Sequence, residues 1–154
     1  MKLLDIDTPA GSLCAGEEDG RLVRLSFGAA GGRDETPLLL ETRRQLQEYF
    51  AGSRREFALP LELRGTEFQK RVWRALESIA YGETRAYADI ASAVGNPKAV
   101  RAVGMANHNN PIVIIIPCHR VVGKNGSLTG YGGGLDIKKL LLELEQNWKE
   151  RTNK

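Results

Sequence analysis

Cysteine and histidine are scarce in this chain, with two of each in 154 residues. Two cysteines cannot build a disulfide framework in a chain this long, which points away from small secreted scaffolds and toward the reducing cytoplasm. Cys14, Cys118, His108 and His119 form neither a CxxC nor an HxxxH pairing, so no structural metal is expected. Long apolar runs are missing too. The longest, Ile112 to Ile116, falls far short of the ~20 residues that span a bilayer. The opening "MKLLDIDTPAG" carries acids where a signal peptide is uninterrupted and apolar, so export is not expected. Repeats and low-complexity tracts are absent. Acidic residues are nearly absent from one region: within 85–124, Asp89 alone opposes Arg85, Lys98, Arg101, Arg120 and Lys124.

What remains is an ordinary globular composition, 42% hydrophobic and 27% charged. It suffices for one core or for two small domains sharing an interface. The net charge of +3 is unevenly spread: residues 1–60 hold 8 basic and 10 acidic side chains, residues 61–154 hold 14 and 9. A basic middle suits a polyanionic partner such as nucleic acid, and equally a solvated basic face.

Along the chain, "LLDID", "GSLCAG" and "RLVRLSF" read as short strands of an antiparallel meander, separated by "TPAG" and "EEDG". "TPLLLETRRQLQEYFAG" reads as a helix, with Pro37 in its first turn and Gly52 closing it. Gly65 is the expected boundary between domains at 1–64 and 65–154. Thr66 and Gln69 then form a capping box that opens a helix with Phe68, Val72, Leu76 and Ile79 on one face. A short helix ending at Gly95 is followed at once by a second, with Asn96 as N-cap and Pro97 at its first position. Together they spell a helix-turn-helix over about 84–108. "IVIII" reads as a strand, and "PCHRVVGKNGSLTGYGGG" as a hairpin or wing. The last helix runs from Leu135 with the stripe Ile137, Leu141, Leu144 and Trp148.

The second helix of the motif is poor in the long polar side chains that read base edges. It offers Lys98 and Arg101 among Ala99, Ala102, Gly104 and Ala106. Small residues admit close approach to a duplex, and a single projecting arginine suits insertion into the groove or stack. Binding to DNA with little sequence preference is the expectation, unless the alanines only pack and Arg101 only caps a helix.

Cys118 follows Pro117, at what reads as the extended end of a strand. A thiol attacks as thiolate, so at a free pKa of about 8.5 it needs a base or a positive charge nearby. His119 is adjacent, yet in extended chain neighbouring side chains point apart, which favours a bridging water or a bend. A histidine base needs an orienting acceptor. On the last helix Glu145 lies roughly 70° from the centre of the apolar stripe and Glu143 about 130°, so Glu145 is the carboxylate able to turn inward.

At this point the stretch "IPCHRVVGKNGSLTGYGGGLDIKKLLLELE" resembles the active-site signature of the O6-alkylguanine-DNA alkyltransferases, the methylated-DNA–protein-cysteine methyltransferases. "TEFQKRVWRALESIAYGETRAYADIASAVGNPKAVRAVGMANHNNP" resembles their helix-turn-helix region. The likeness is close over about 64–148, and the first 60 residues match in layout. It implies an α+β protein: a small N-terminal domain with antiparallel sheet and helix, then a helical domain whose winged helix-turn-helix carries the cysteine in a loop at 117–120.

The resemblance implies that Cys118 accepts an alkyl group from O6-alkylguanine, and from O4-alkylthymine, in double-stranded DNA, once per molecule and without a cofactor. His119 activates it through a water, and Glu145 orients His119. Asn110 is the hinge asparagine, and Tyr87 crowds the phosphate and can protonate the leaving guanine. Arg101 enters the stack from the minor groove. Lys98, Asn96, Tyr87 and Arg120 complete the expected DNA contacts. Tyr131, the Gly132 N–H and the Val121 carbonyl line the pocket. A cytoplasmic monomer without membrane attachment is expected. Two rivals stand beside this reading: a DNA-binding damage sensor that does not react, and a cysteine hydrolase using Cys118, His119 and Glu145.

Overall fold

The computed structural model describes residues 1–128, 130–131 and 133–152, with side chains through residue 148. It is α+β and divides into two compact units. The first comprises Met1–Arg64 with Pro111–Val113, the second Gly65–Asn110 with Ile114–Lys154.

In the first unit, β1 (Lys2–Thr8), β2 (Gly11–Glu18) and β3 (Arg21–Phe27) form an antiparallel sheet in sequence order. Asp19 and Gly20, both at positive φ, supply the two-residue turn whose twist matches the strands it joins. Leu4, Ile6, Leu13, Ala15, Val23 and Leu25 are buried, so the meander hides one apolar set. Helix α1 (Pro37–Phe50) starts where Thr36 accepts a bond from the Leu39 N–H at 3.1 Å, with Pro37 in the first turn. It buries Leu39, Thr42, Gln45, Leu46 and Tyr49.

The expected strand "IVIII" does not form as one element. Ile112 bridges Leu25 in parallel, with Leu25 N–H bonding the Pro111 carbonyl at 2.9 Å and Val113 N–H the Leu25 carbonyl at 2.9 Å. Ile114 then turns with φ at 72°. A β-branched residue rarely adopts that conformation, and its side chain is held there by near-complete burial (1% exposed).

In the second unit, α2 (Glu67–Glu77) opens on the capping box: Thr66 N–H bonds Gln69 Oε1 at 2.9 Å and Gln69 N–H bonds Thr66 Oγ1 at 3.1 Å. It buries Val72, Trp73 and Leu76. The Trp73 indole N–H donates to the Ala106 carbonyl at 2.8 Å, tying α2 to the helix that carries Arg101. Gly65 is small of necessity, because a Cβ there would sit 2.7 Å from the Trp73 ring.

The helix-turn-helix consists of α3 (Tyr87–Ala93) and α4 (Val100–His108). Its second helix starts later than the sequence suggests. Asn96 opens a turn in which its carbonyl accepts the Ala99 N–H at 2.9 Å, and Ala99, not Asn96, occupies the N-cap. The stretch expected as a hairpin or wing forms a 3-10 turn at Cys118–Arg120, a short strand β5 (Val121–Val122) and a tight turn in which Asn125 and Gly126 take positive φ and the Gly126 N–H bonds the Gly123 carbonyl at 3.0 Å. Strand β5 pairs in parallel with β4 (Arg85–Ala86), immediately before Tyr87, and so stitches the entry of α3 to the segment after Cys118. Helix α5 (Leu135–Thr152) closes the unit.

Candidate active site

Pro117 decides how the cysteine is presented. Its φ of −81° and ψ of 64° make an inverse γ-turn, closed by the Cys118 N–H on the Ile116 carbonyl at 2.8 Å. Cys118 therefore begins a 3-10 turn rather than ending an extended strand. Asn110 Nδ2 donates to the same Ile116 carbonyl at 2.7 Å, so this asparagine, two residues beyond α4, fixes the approach to the turn.

The turn buries Cys118, His119 and Arg120 together. His119 Nε2 lies 2.7 Å from Glu145 Oε2. Arg120 donates from Nε to Glu145 Oε1 at 2.8 Å and from Nη2 to Oε2 at 3.1 Å, and from Nη1 to the Ile79 carbonyl at 2.7 Å. Gly82 N–H adds a longer bond to Oε1 at 3.4 Å. Burial alone would raise the Glu145 carboxyl, but the charges and hydrogen bonds of His119 and Arg120 outweigh it and hold the pKa near about 2. Because that carboxylate can only accept, Nε2 of His119 carries the proton and Nδ1 keeps its lone pair. Burial pushes the His119 pKa down, against the pull of Glu145, so the ring is a neutral base at pH 7.

Cys118 is 3% exposed. Burial raises its pKa; hydrogen bonds from Asn110 and Tyr131 and the charge of Lys138 act to lower it. At rest the sulfur is a thiol beside groups ready to receive a thiolate. Lys138 is itself buried in α5 and donates to the Val121 carbonyl at 2.6 Å, with its ammonium 6.0 Å from the Tyr87 ring centre. Since Arg120 and Glu145 offset each other, Lys138 supplies the positive charge that an ionised Cys118 would balance.

The structure thus brings Cys118, His119, Glu145, Asn110, Val121 and Tyr131 together. Tyr87 opens α3 half-buried, beside this cluster. Asn96, Lys98 and Arg101 are exposed at the start of α4 and in the turn before it. Arg120, expected among the DNA contacts, is corrected: it is 7% exposed and spends its guanidinium on Glu145 and Ile79. Gly132 lies outside the described residues. Of the small residues around α4, Ala102 is exposed whereas Ala106 is buried.

Two residues of the cluster escape the sequence reading. Lys138 stands seven positions before Glu145, so helical geometry puts both on one face, but a lysine inside an apolar stripe reads as solvated. Asn107 is 3% exposed and donates from Nδ2 to the Cys118 carbonyl at 3.3 Å; nothing in "MANHNNP" separates it from its neighbours.

This geometry can be compared with known proteins. Residues 67–147 match the family model for the DNA-binding domain of 6-O-methylguanine DNA methyltransferase, and residues 5–63 match its ribonuclease-like domain. The constitutive methylated-DNA–protein-cysteine methyltransferase of Bacillus subtilis is 52% identical over 94% of this chain and 96% of its own. The methylated-DNA–protein-cysteine methyltransferase of Methanosarcina acetivorans is also 52% identical, over 90% and 94%. Among solved structures, Mycobacterium tuberculosis OGT in complex with DNA is similar at a TM-score of 0.89 and 47% identity, covering 96% of this chain and 94% of that one.

Proposed function

The chain belongs to the methylated-DNA–protein-cysteine methyltransferase family, and from that premise we propose how its own residues perform the transfer. The activity is direct-reversal DNA repair, in which an alkyl group passes from the damaged base to a cysteine of the protein. The acceptor is Cys118. The observation that carries this assignment is the buried series Cys118, His119, Glu145, in which a neutral imidazole keeps a lone pair on Nδ1.

The sulfur attacks the alkyl carbon of O6-alkylguanine, and of O4-alkylthymine, in line with the departing oxygen. One S–C bond forms and one C–O bond breaks. The thiol proton leaves by way of water toward His119 Nδ1, and Glu145 stabilises the imidazolium that results. A buried thiol cannot reach a base inside the stack, so the nucleotide swings out, at a cost of a few kcal/mol that is least for a damaged pair. Arg101, exposed on α4, enters from the minor groove and fills the space left behind. Lys98 and Asn96 hold phosphates with little regard for sequence. Tyr87 crowds the turned-out nucleotide and donates to the leaving oxygen, while the Val121 carbonyl keeps one lone pair for the guanine amine.

The product is a thioether, a poor leaving group, so each molecule reacts once. No helix among the described residues is long and apolar enough to cross a membrane. The transfer needs Cys118 as a free thiol, which supports the reducing cytoplasm as its working place.

Incubation with duplex DNA carrying a labelled O6-methylguanine tests the assignment. The label should pass to the protein, and Cys118→Ala should bind the duplex and take up none. Uptake by that variant would relocate the nucleophile. Binding by the unmodified protein without any uptake would make it a damage sensor.

A further inference from the structure

Two buried polar atoms beside Cys118 lack a hydrogen-bond partner among the described residues: His119 Nδ1 and Asn107 Oδ1. Both belong to side chains that are at least nine-tenths buried. Both are anchored at their other ends, His119 through Nε2 to Glu145 and Asn107 through Nδ2 to the Cys118 carbonyl. The anchors fix the chemistry of the open ends. Cys118 O can only accept, which assigns Nδ2 to it and leaves Oδ1 as an acceptor. Glu145 likewise leaves Nδ1 as an acceptor. A buried acceptor without a partner is costly, so two of them flanking one reactive residue call for a shared donor.

We propose that Asn107 is a positioning residue for the transfer: its Oδ1 and His119 Nδ1 together hold and orient the one water that takes the Cys118 proton. The inference rests on the function proposed above. A water has two hydrogens, and here two acceptors receive them, one each. Its oxygen is then left with lone pairs only, turned toward the Cys118 S–H. As the S–C bond forms and the C–O bond breaks, the thiol proton passes to the water and the water's own proton passes to Nδ1. The electron pair leaves on the base oxygen. Without Asn107 the water can turn its second hydrogen toward the sulfur, and the relay loses its direction. The same side chain joins α4, the helix that carries Arg101, to the peptide of the nucleophile.

The test uses free O6-benzylguanine, which needs no base flipping, and reads the rate constant against pH. The groups facing His119 and the sulfur are Cys118 and Arg120 on the same turn, Lys138 and Glu145 from α5, and Tyr131; all are unchanged in the variant. Asn107→Leu should slow transfer about 10–100-fold at pH 7, the loss expected for an impaired general base. The gap should narrow steadily as pH rises, because hydroxide increasingly takes the thiol proton without the relay. No loss at pH 7, or the same loss at every pH as a merely structural role predicts, would overturn the proposal. If the leucine variant fails to fold, as judged by thermal melting, Asn107→Ser removes the carboxamide without added bulk and is read the same way. Repair of methylated duplex by the unmodified protein is the control: its failure would sink the proposed function, whereas a pH-independent loss with that control intact sinks only the role of Asn107.

Discussion

Glu145 holds the reactive turn together. Its two oxygens receive His119, both Nε and Nη2 of Arg120, and the Gly82 N–H, at 1% exposure. Removing one partner of such a buried pair costs about 3–5 kcal/mol, because the other charge stays buried. Glu145→Gln should lower stability by about that amount in denaturant melts. It should also slow the reaction, since a neutral amide no longer fixes the proton on Nε2. Arg120→Ala should be comparably destabilising, because it strands both Glu145 and the Ile79 carbonyl. Its effect on DNA affinity separates it from a true phosphate contact. Lys98→Ala should reduce the slope of log affinity against log salt by about 1, and folded Arg120→Ala should leave that slope unchanged. A reduced slope for Arg120→Ala would reinstate it as a DNA contact.

At the scale of elements, the helix-turn-helix presents Arg101 on a surface thinned by Ala102 and Gly104. Arg101→Ala should cripple repair in duplex DNA far more than reaction with free O6-benzylguanine; equal losses would remove its part in base eversion. Local signals made much of this level readable. The capping box at Thr66, the Asp19-Gly20 turn, Pro37 and the period of α5 each act within a few residues, and each produces the element it announces. Thr66→Ala should accordingly cost about 1 kcal/mol, measurable by thermal melting.

What was not readable depends on partners distant in sequence. "IVIII" has the composition of a strand, but Ile112 finds its partner in Leu25 and Ile114 is forced to positive φ, so the run breaks. Arg120 looked like one more surface cation until the fold set Glu145 against it. Lys138 was hidden by the ordinary expectation that lysines face water, and Asn107 by having no motif of its own. The Glu145 assignment was within reach because helical angle and apolar stripe are both sequence properties.

At the scale of the whole molecule, the buried site makes stability depend on pH. His119 is neutral and its pKa is depressed by burial, so the unfolded chain binds the proton more readily. The stability this confers is full above the ordinary histidine value of about 6.5 and declines below it. Glu145, held near about 2, adds stability that is full above the ordinary carboxylate value and is lost as pH falls through about 4 toward 2. Both effects have the same sign, so the melting temperature should fall in two stages on acidification, and Glu145→Gln should erase the lower stage. A melting temperature flat from pH 7 to pH 4 would remove the His119 stage, and one flat on to about pH 2 would show that the turn carries no such linkage.

The central claim is that one sulfur takes one alkyl group and keeps it. Titrating the protein with duplex DNA containing a single O6-methylguanine, followed by mass spectrometry of the intact chain and its peptides, tests this most directly. The account predicts that uptake stops at one methyl group per protein molecule, all of it on the peptide containing Cys118, with the guanine restored. A chain that stayed unmodified while repair proceeded, or one that repaired many equivalents of DNA, would contradict it.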